Sequence, residues 1–217
     1  MRRLVIDTAL DACTVGLFGD GAEPFILSEV MARGHQERLG PMAEAVAARA
    51  GSLSGVQRIG VTVGPGSFTG LRVGLAFALG VGSALKVPVV GISTLDALAA
   101  SVAAPGLVAS AIDARRGQVY LRLYRDGEPQ AAPEAVALDE AVARLRDAGP
   151  VRLVGSGAPL LAERAAGIDV HPLVAPTPEA LARLTLDLDP ERHPARPLYL
   201  RAPDATPPTR LPGQPRA

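Results

Sequence analysis

The residues whose types and spacing could do chemistry lie closest together in Gly64-Pro65-Gly66-Ser67-Phe68-Thr69-Gly70, which runs on into Leu71-Arg72-Val73-Gly74. A strand-like run, Arg58 to Val63, leads in, and a helical run leads out. Glycines between the two bare the backbone amides. Amides at a helix N-terminus attract anions, helped by the helix dipole. The spacing fits a phosphate site formed by Gly64, Gly66, Ser67, Thr69 and Gly70. It fits equally a tight βα turn whose glycines serve backbone geometry alone, and the segment by itself leaves both open. Better-defined motifs are excluded. A dinucleotide fingerprint needs a third glycine where Thr69 stands, and an acid about 20 residues on. A Walker A loop needs Gly-Lys-Ser/Thr, which the chain lacks. The hydrolase elbow Gly-x-Ser-x-Gly fails around both Ser67 and Ser156, and nothing nearby offers either serine a histidine base.

Asp7 and Asp113 each end a strand-like run. Two carboxylates at strand tips facing a glycine loop could hold a hydrated Mg²⁺ in a phosphotransfer cleft. Each could instead cap a turn, which is the favoured reading for Asp113, while Asp7 stays open. His35, His171 and His193 show no His-x-x-x-His spacing, so capping or surface roles are favoured over metal ligation and no metal site is expected. Arg115-Arg116-Gly117 could touch phosphate but reads first as a solvated turn.

The elements that must position these residues are legible from periodicity. Leu4–Ile6, Cys13–Phe18 and Phe25–Met31 read as three strands, with a hairpin turn at Gly19-Asp20-Gly21. A helix follows over 35–50, with Leu39, Met42 and Val46 at helical spacing, a bend expected at Gly40-Pro41 and a stop at Gly51. Next come strand Arg58–Val63, helix Thr69–Leu85, strand Val89–Ile92 and a helix opened by the capping box Ser93-Thr94-Leu95-Asp96. Beyond Pro105-Gly106 the scheme partly repeats, with strands at Leu107–Ile112, Gln118–Tyr124 and Val151–Val154, a helix at Asp139–Ala148 and two short helices. This order predicts an α/β fold with a mixed sheet. It divides into a first lobe over 1–104, a reduced second lobe over 105–201 and a proline-rich tail over 202–217.

Composition narrows the classes. Of 217 residues, 22 are Lys or Arg and 22 are Asp or Glu, so there is no basic surplus for gripping nucleic acid across the whole surface. Aromatic residues make up 3%, which leaves few rings to stack on bases. One cysteine, Cys13, excludes an internal disulfide and a cysteine-based zinc site. No run approaches a membrane span and none reads as a signal peptide, so a cytoplasmic protein is expected. Helix 69–85 is apolar round most of its circumference, which suggests burial on more than one side. Leu71, Leu75, Ala78 and Leu79, with His35, Leu39, Met42 and Val46 of the preceding helix, are therefore candidate partner-interface residues.

Val61-Thr62-Val63 through Gly74 resembles the hallmark of the TsaB (YeaZ) family. Ile6-Asp7-Thr8-Ala9, Gly91-Ile92-Ser93-Thr94-Leu95, Ala111-Ile112-Asp113-Ala114-Arg115 and Pro197-Leu198-Tyr199-Leu200-Arg201 agree in order. The resemblance implies an actin/Hsp70/sugar-kinase (ASKHA) fold of two ribonuclease-H-like lobes, the second truncated. It implies a non-catalytic scaffold in the complex that transfers a threonylcarbamoyl group to N6 of adenosine 37 in tRNAs reading codons that begin with A. The partners implied are a homologous catalytic subunit (TsaD) and an ATPase (TsaE), with a homodimer when alone and tRNA met only through the complex. No cofactor is implied for the isolated chain; ATP and metal belong to the partners. The catalytic relatives' His-x-x-x-His metal site falls at Thr94 to Leu98, which cannot replace two imidazoles. The alternative reading is a nucleotide-dependent small-molecule phosphotransferase, resting on the glycine loop and Asp7.

Overall fold

Leu4, Val5 and Ile6 are consecutive apolar residues, so their strand must be covered on both faces. In the computed structural model, which describes residues 1–201 except Asp20, Ala22, Ala103 and Ala166, all three are fully buried in β1 (Arg2–Asp7). β1 lies at the centre of a five-stranded sheet with β2 (Ala12–Phe18), β3 (Phe25–Val30), β4 (Val56–Gly64) and β5 (Val89–Ser93), in the order β3-β2-β1-β4-β5. β2 pairs antiparallel with β1 and β3, and β4 pairs parallel with β1 and β5. The turn expected at Gly19-Asp20-Gly21 includes Asp20, which lies outside the described residues.

Helix α1 (His35–Arg49) buries His35, Leu39, Met42, Ala43 and Val46, a helical stripe laid on the sheet. It runs unbroken through Pro41, where a bend was expected. Pro41 and Glu37 both lie on the exposed side, so water can reach the carbonyl that Pro41 leaves without a donor. α2 (Phe68–Leu85) and α3 (Thr94–Ser101) are capped by Ser67 and Ser93, whose hydroxyls accept from the Gly70 and Asp96 amides.

The second half repeats the plan in smaller pieces. β6 (Leu107–Arg115), β7 (Gln118–Arg125), β8 (Glu128–Pro129), β9 (Glu134–Ala137), β10 (Arg152–Val154) and β11 (Asp169–His171) form a sheet ordered β11-β10-β6-β7-β8, with β9 also on β7. As in the first sheet, the central strand has an antiparallel neighbour on one side and two parallel strands on the other. This is the duplicated ribonuclease-H-like arrangement of the actin/Hsp70/sugar-kinase fold. The reduction is physical: α5 (Ala158–Ala162) has 5 residues where α2 has 18. β8, β9 and β11, absent from the expected elements, carry too few residues to show a period.

One boundary differs from expectation. Helix α6 (Pro178–Asp187) falls in the span 105–201 assigned to the second lobe, yet Leu181 and Ala182 pack with Val5, Phe18, Val90 and Ile92 of the first sheet. The chain after it stays there. The Gly91 amide donates to the His193 carbonyl at 2.8 Å and the Leu198 amide to the Val63 carbonyl at 2.7 Å. An amphipathic helix needs an apolar face to lie on, and the first sheet supplies one. Between the sheets, Leu10, Leu71, Leu95, Leu98, Val108 and Ile112 belong to one apolar cluster. At its edge the Asp96 carboxylate of α3 accepts from Arg122 Nη1 at 2.7 Å and from the Tyr124 hydroxyl at 2.5 Å, both on β7. The Pro-rich segment Ala202–Ala217, expected to be an extended tail, lies outside the described residues.

Candidate functional site

Gly66, Gly70 and Gly74 line up against the β1–β2 turn. A Cβ on Gly66 would sit 2.3 Å from the Ala9 carbonyl, one on Gly70 2.1 Å from the Thr8 carbonyl, and one on Gly74 2.4 Å from Thr8 Oγ1. Hydrogen bonds close the same contact: the Ser67 amide donates to the Ala9 carbonyl at 2.7 Å and Thr8 Oγ1 donates to the Gly70 carbonyl at 2.7 Å. The Leu71 amide is taken by the Ser67 carbonyl at 2.9 Å. The glycines thus admit one backbone to another, and the amides of Ser67, Gly70 and Leu71 are already engaged. Gly64 sits apart, at φ +110° beside the Leu198 carbonyl, a conformation that favours glycine.

Asp7 is fully buried at the base of this contact. Its Oδ1 accepts from the Ala9 amide at 3.0 Å and from the Thr62 hydroxyl at 2.6 Å, and Oδ2 has no hydrogen-bond partner among the described residues. Burial pushes the carboxyl above its ordinary range, against the opposing pull of those two hydrogen bonds. Ser67, Thr69 and Gly70 also line an open cleft of about 300 Å³ with Arg33, His35 and Glu37. His35 Nε2 lies 3.1 Å from the Leu10 carbonyl, to which it donates, so the ring ties α1 to the β1–β2 turn. The structure therefore gathers Asp7, Gly66, Ser67 and Gly70 round one turn, with Thr69 and His35 at its mouth.

Asp113 does not join them. Its carboxylate accepts from the Arg115 amide at 2.7 Å and pairs with the Arg115 guanidinium at 3.0 Å, stabilising the bulge at the end of β6. Arg116 and Gly117, at φ 56° and 72°, make the tight turn into β7. Thr94 and Leu98 are fully buried. Among the described residues, no three His, Cys, Asp or Glu side chains come together as a metal would need. Cys13 is buried beneath the sheet, and burial pushes its thiol up to about 11.

The partner-interface residues need correction. His35, Leu39, Met42, Val46, Leu71, Leu75 and Ala78 all lie inside the molecule, and of the eight only Leu79, 48% exposed, faces out. The spacing was right but its phase was not, because an apolar helix gives no polar face from which to read direction. What α2 turns outward is Phe68, Arg72, Ala76, Leu79, Gly80 and Ser83. The helix has the length and mean hydropathy, 1.5, of a membrane span, but its inner side packs on β4 and the sheet core.

Known proteins agree with this frame. The family model described as TsaD, tRNA N6-adenosine threonylcarbamoyltransferase, matches residues 25–158. The solved structure of YeaZ from Pseudomonas aeruginosa superposes with a TM-score of 0.77 at 30% identity, covering 92% of this chain and 99% of that one. The chain belongs to the TsaB (YeaZ) family. Escherichia coli TsaB, a tRNA threonylcarbamoyladenosine biosynthesis protein, is 38% identical over 132 residues, 59% of this chain and 57% of that protein. An uncharacterised protein of Mycobacterium leprae is 39% identical over 94% of this chain, which spans only 56% of that relative's length.

Proposed function

We propose that this chain is an accessory subunit of tRNA threonylcarbamoyladenosine biosynthesis, without catalytic activity of its own. It acts in the cytoplasm as the docking half of the transferase that modifies N6 of adenosine 37 in tRNAs reading ANN codons. The family supports the pathway. The observation that carries the accessory role is the closed glycine loop: the backbone of the β1–β2 turn stands where a Cβ on Gly66 or Gly70 would stand, the Ser67 amide is spent on that contact, and the Gly70 and Leu71 amides are taken by Ser67 itself. Asp7 is sealed beneath the turn rather than presented to a cleft. The loop residues therefore do not fit a bound nucleotide phosphate, and ATP and metal belong to the partner subunits. The phosphotransferase alternative is not favoured.

Docking is assigned to the outer face of α2, through Ala76, Leu79, Gly80 and Ser83. Side chains this small let a partner helix approach closely. The occupant is the homologous catalytic subunit (TsaD), with a second copy of this chain when that subunit is absent and the ATPase (TsaE) joining the pair. The test is reconstitution. The purified chain alone should form no modified adenosine, and omitting it from the full set of subunits should stop the reaction. Product formed at an unchanged rate without it would defeat the proposal.

A further inference from the structure

Phe68, Arg72 and Tyr199 form a cluster at the start of α2, a turn before the residues given to docking. Phe68 is 56% exposed and Tyr199 51% exposed, in a chain with four Phe, three Tyr and no Trp. The Arg72 guanidinium lies over the Phe68 ring at 3.6 Å from its centre, and its Nε donates to the Tyr199 hydroxyl at 3.4 Å. The two rings stand 6.0 Å apart, centre to centre. Two large rings exposed to water contribute little to folding, and the contacts among them hold the guanidinium plane in one orientation.

The cluster continues into positive charge. Two residues beyond Tyr199, Arg201 donates to the Ala114 carbonyl at 2.8 Å, which carries the chain to the end of β6. There Arg115, its side chain 85% exposed, and Arg116 project from the turn. Among the described residues, Asp113 stands beside them and pairs with Arg115. Exposed rings and guanidinium planes thus lead into a row of arginines, across the ends of both sheets, on a protein whose net charge is zero.

We infer that this strip, Phe68–Arg72–Tyr199 with Arg201, Arg115 and Arg116, is a direct contact for RNA, stacking an unpaired base and holding its backbone. Splayed bases of RNA loops stack on aromatic rings and on guanidinium planes, and arginines neutralise the phosphates. An acidic protein surface would satisfy the arginines but has no use for two exposed rings, tilted 33° to one another, gathered round a guanidinium. The inference rests on the reading of the chain as part of a tRNA-modifying complex. It departs from the expectation that tRNA is met only through the partner subunits.

The test is fluorescence anisotropy with an unmodified tRNA transcript carrying adenosine 37, titrated with the full chain and with the chain assembled with its catalytic subunit. Tyr199→Ala and Phe68→Ala should each weaken binding by about tenfold. In the Arg115→Gln/Arg116→Gln double variant, the slope of log affinity against log salt should become shallower by about 0.7 per arginine. Thermal unfolding should remain cooperative in every variant, because the altered side chains lie outside the core. Unchanged affinity and slope in both settings would overturn the inference, even if reconstitution still required the chain. Variants that release the catalytic subunit while RNA affinity stays constant would mark the cluster as a protein contact and overturn it too.

Discussion

Burial holds the Asp7 carboxyl protonated to higher pH than in an unfolded chain, where its ordinary value is 3.8. Between that value and the raised one, the folded state binds the proton more tightly, so stability falls as pH rises through the window. Asp7→Asn keeps the acceptor for Thr62 and Ala9 but cannot ionise. Urea unfolding from pH 4 to 8 should show the wild type losing stability relative to this variant as pH rises; parallel curves would refute the assignment. The glycines divide on the same scale. Gly70→Ala drives a methyl into the Thr8 carbonyl and should cost about 1–3 kcal/mol by overpacking. At Gly80 a Cβ meets nothing within 4 Å, so Gly80→Ala should stabilise by about 0.5–1 kcal/mol through helix propensity alone. Thermal denaturation of the two variants checks both signs.

α2 is the element on which structure and the proposed docking meet. Its inner side carries Leu71, Leu75 and Ala78 into the sheet, and its outer side remains apolar at Ala76, Leu79 and Gly80. A charge on each side separates the two roles. Leu75→Glu places a carboxylate in the core and should leave no folded protein at 37 °C, seen as loss of cooperative unfolding. Leu79→Glu should fold with stability within about 0.5 kcal/mol of wild type, as surface changes do, yet lose co-purification with the catalytic subunit. If Leu79→Glu pairs with undiminished affinity, the docking face lies elsewhere.

Across the whole molecule, the two lobes are joined by packing rather than separated by a cleft. The apolar cluster containing Leu10, Leu95, Leu98 and Ile112 spans both sheets, and α6 crosses back onto the first. Asp96 latches α3 to β7 through Arg122 and Tyr124. Burial pushes the Tyr124 phenol upward, so it stays a donor throughout the ordinary pH range. Asp96→Ala would strand a buried hydroxyl and a half-buried guanidinium, and should cost about 2–3 kcal/mol in chemical denaturation. A loss below a few tenths would mean that the apolar cluster alone sets the lobe arrangement.

Local chemistry was enough to place most of this protein. Consecutive Leu4-Val5-Ile6 required a covered strand, and the capping box at Ser93 marked a helix start. The string from Val61 to Gly74 identified the family. Each of these signals is complete within a few residues of chain. The rest depended on which distant segments meet. Whether the glycines faced a phosphate or another backbone was decided by Thr8 and Ala9, and which side of α2 faced inward was decided by β4. The pairing of Arg72 with Tyr199 joins residues 127 positions apart. Contacts of that kind leave no periodic trace, because a residue's type records what it can bond with and only the folded chain brings the partner to it.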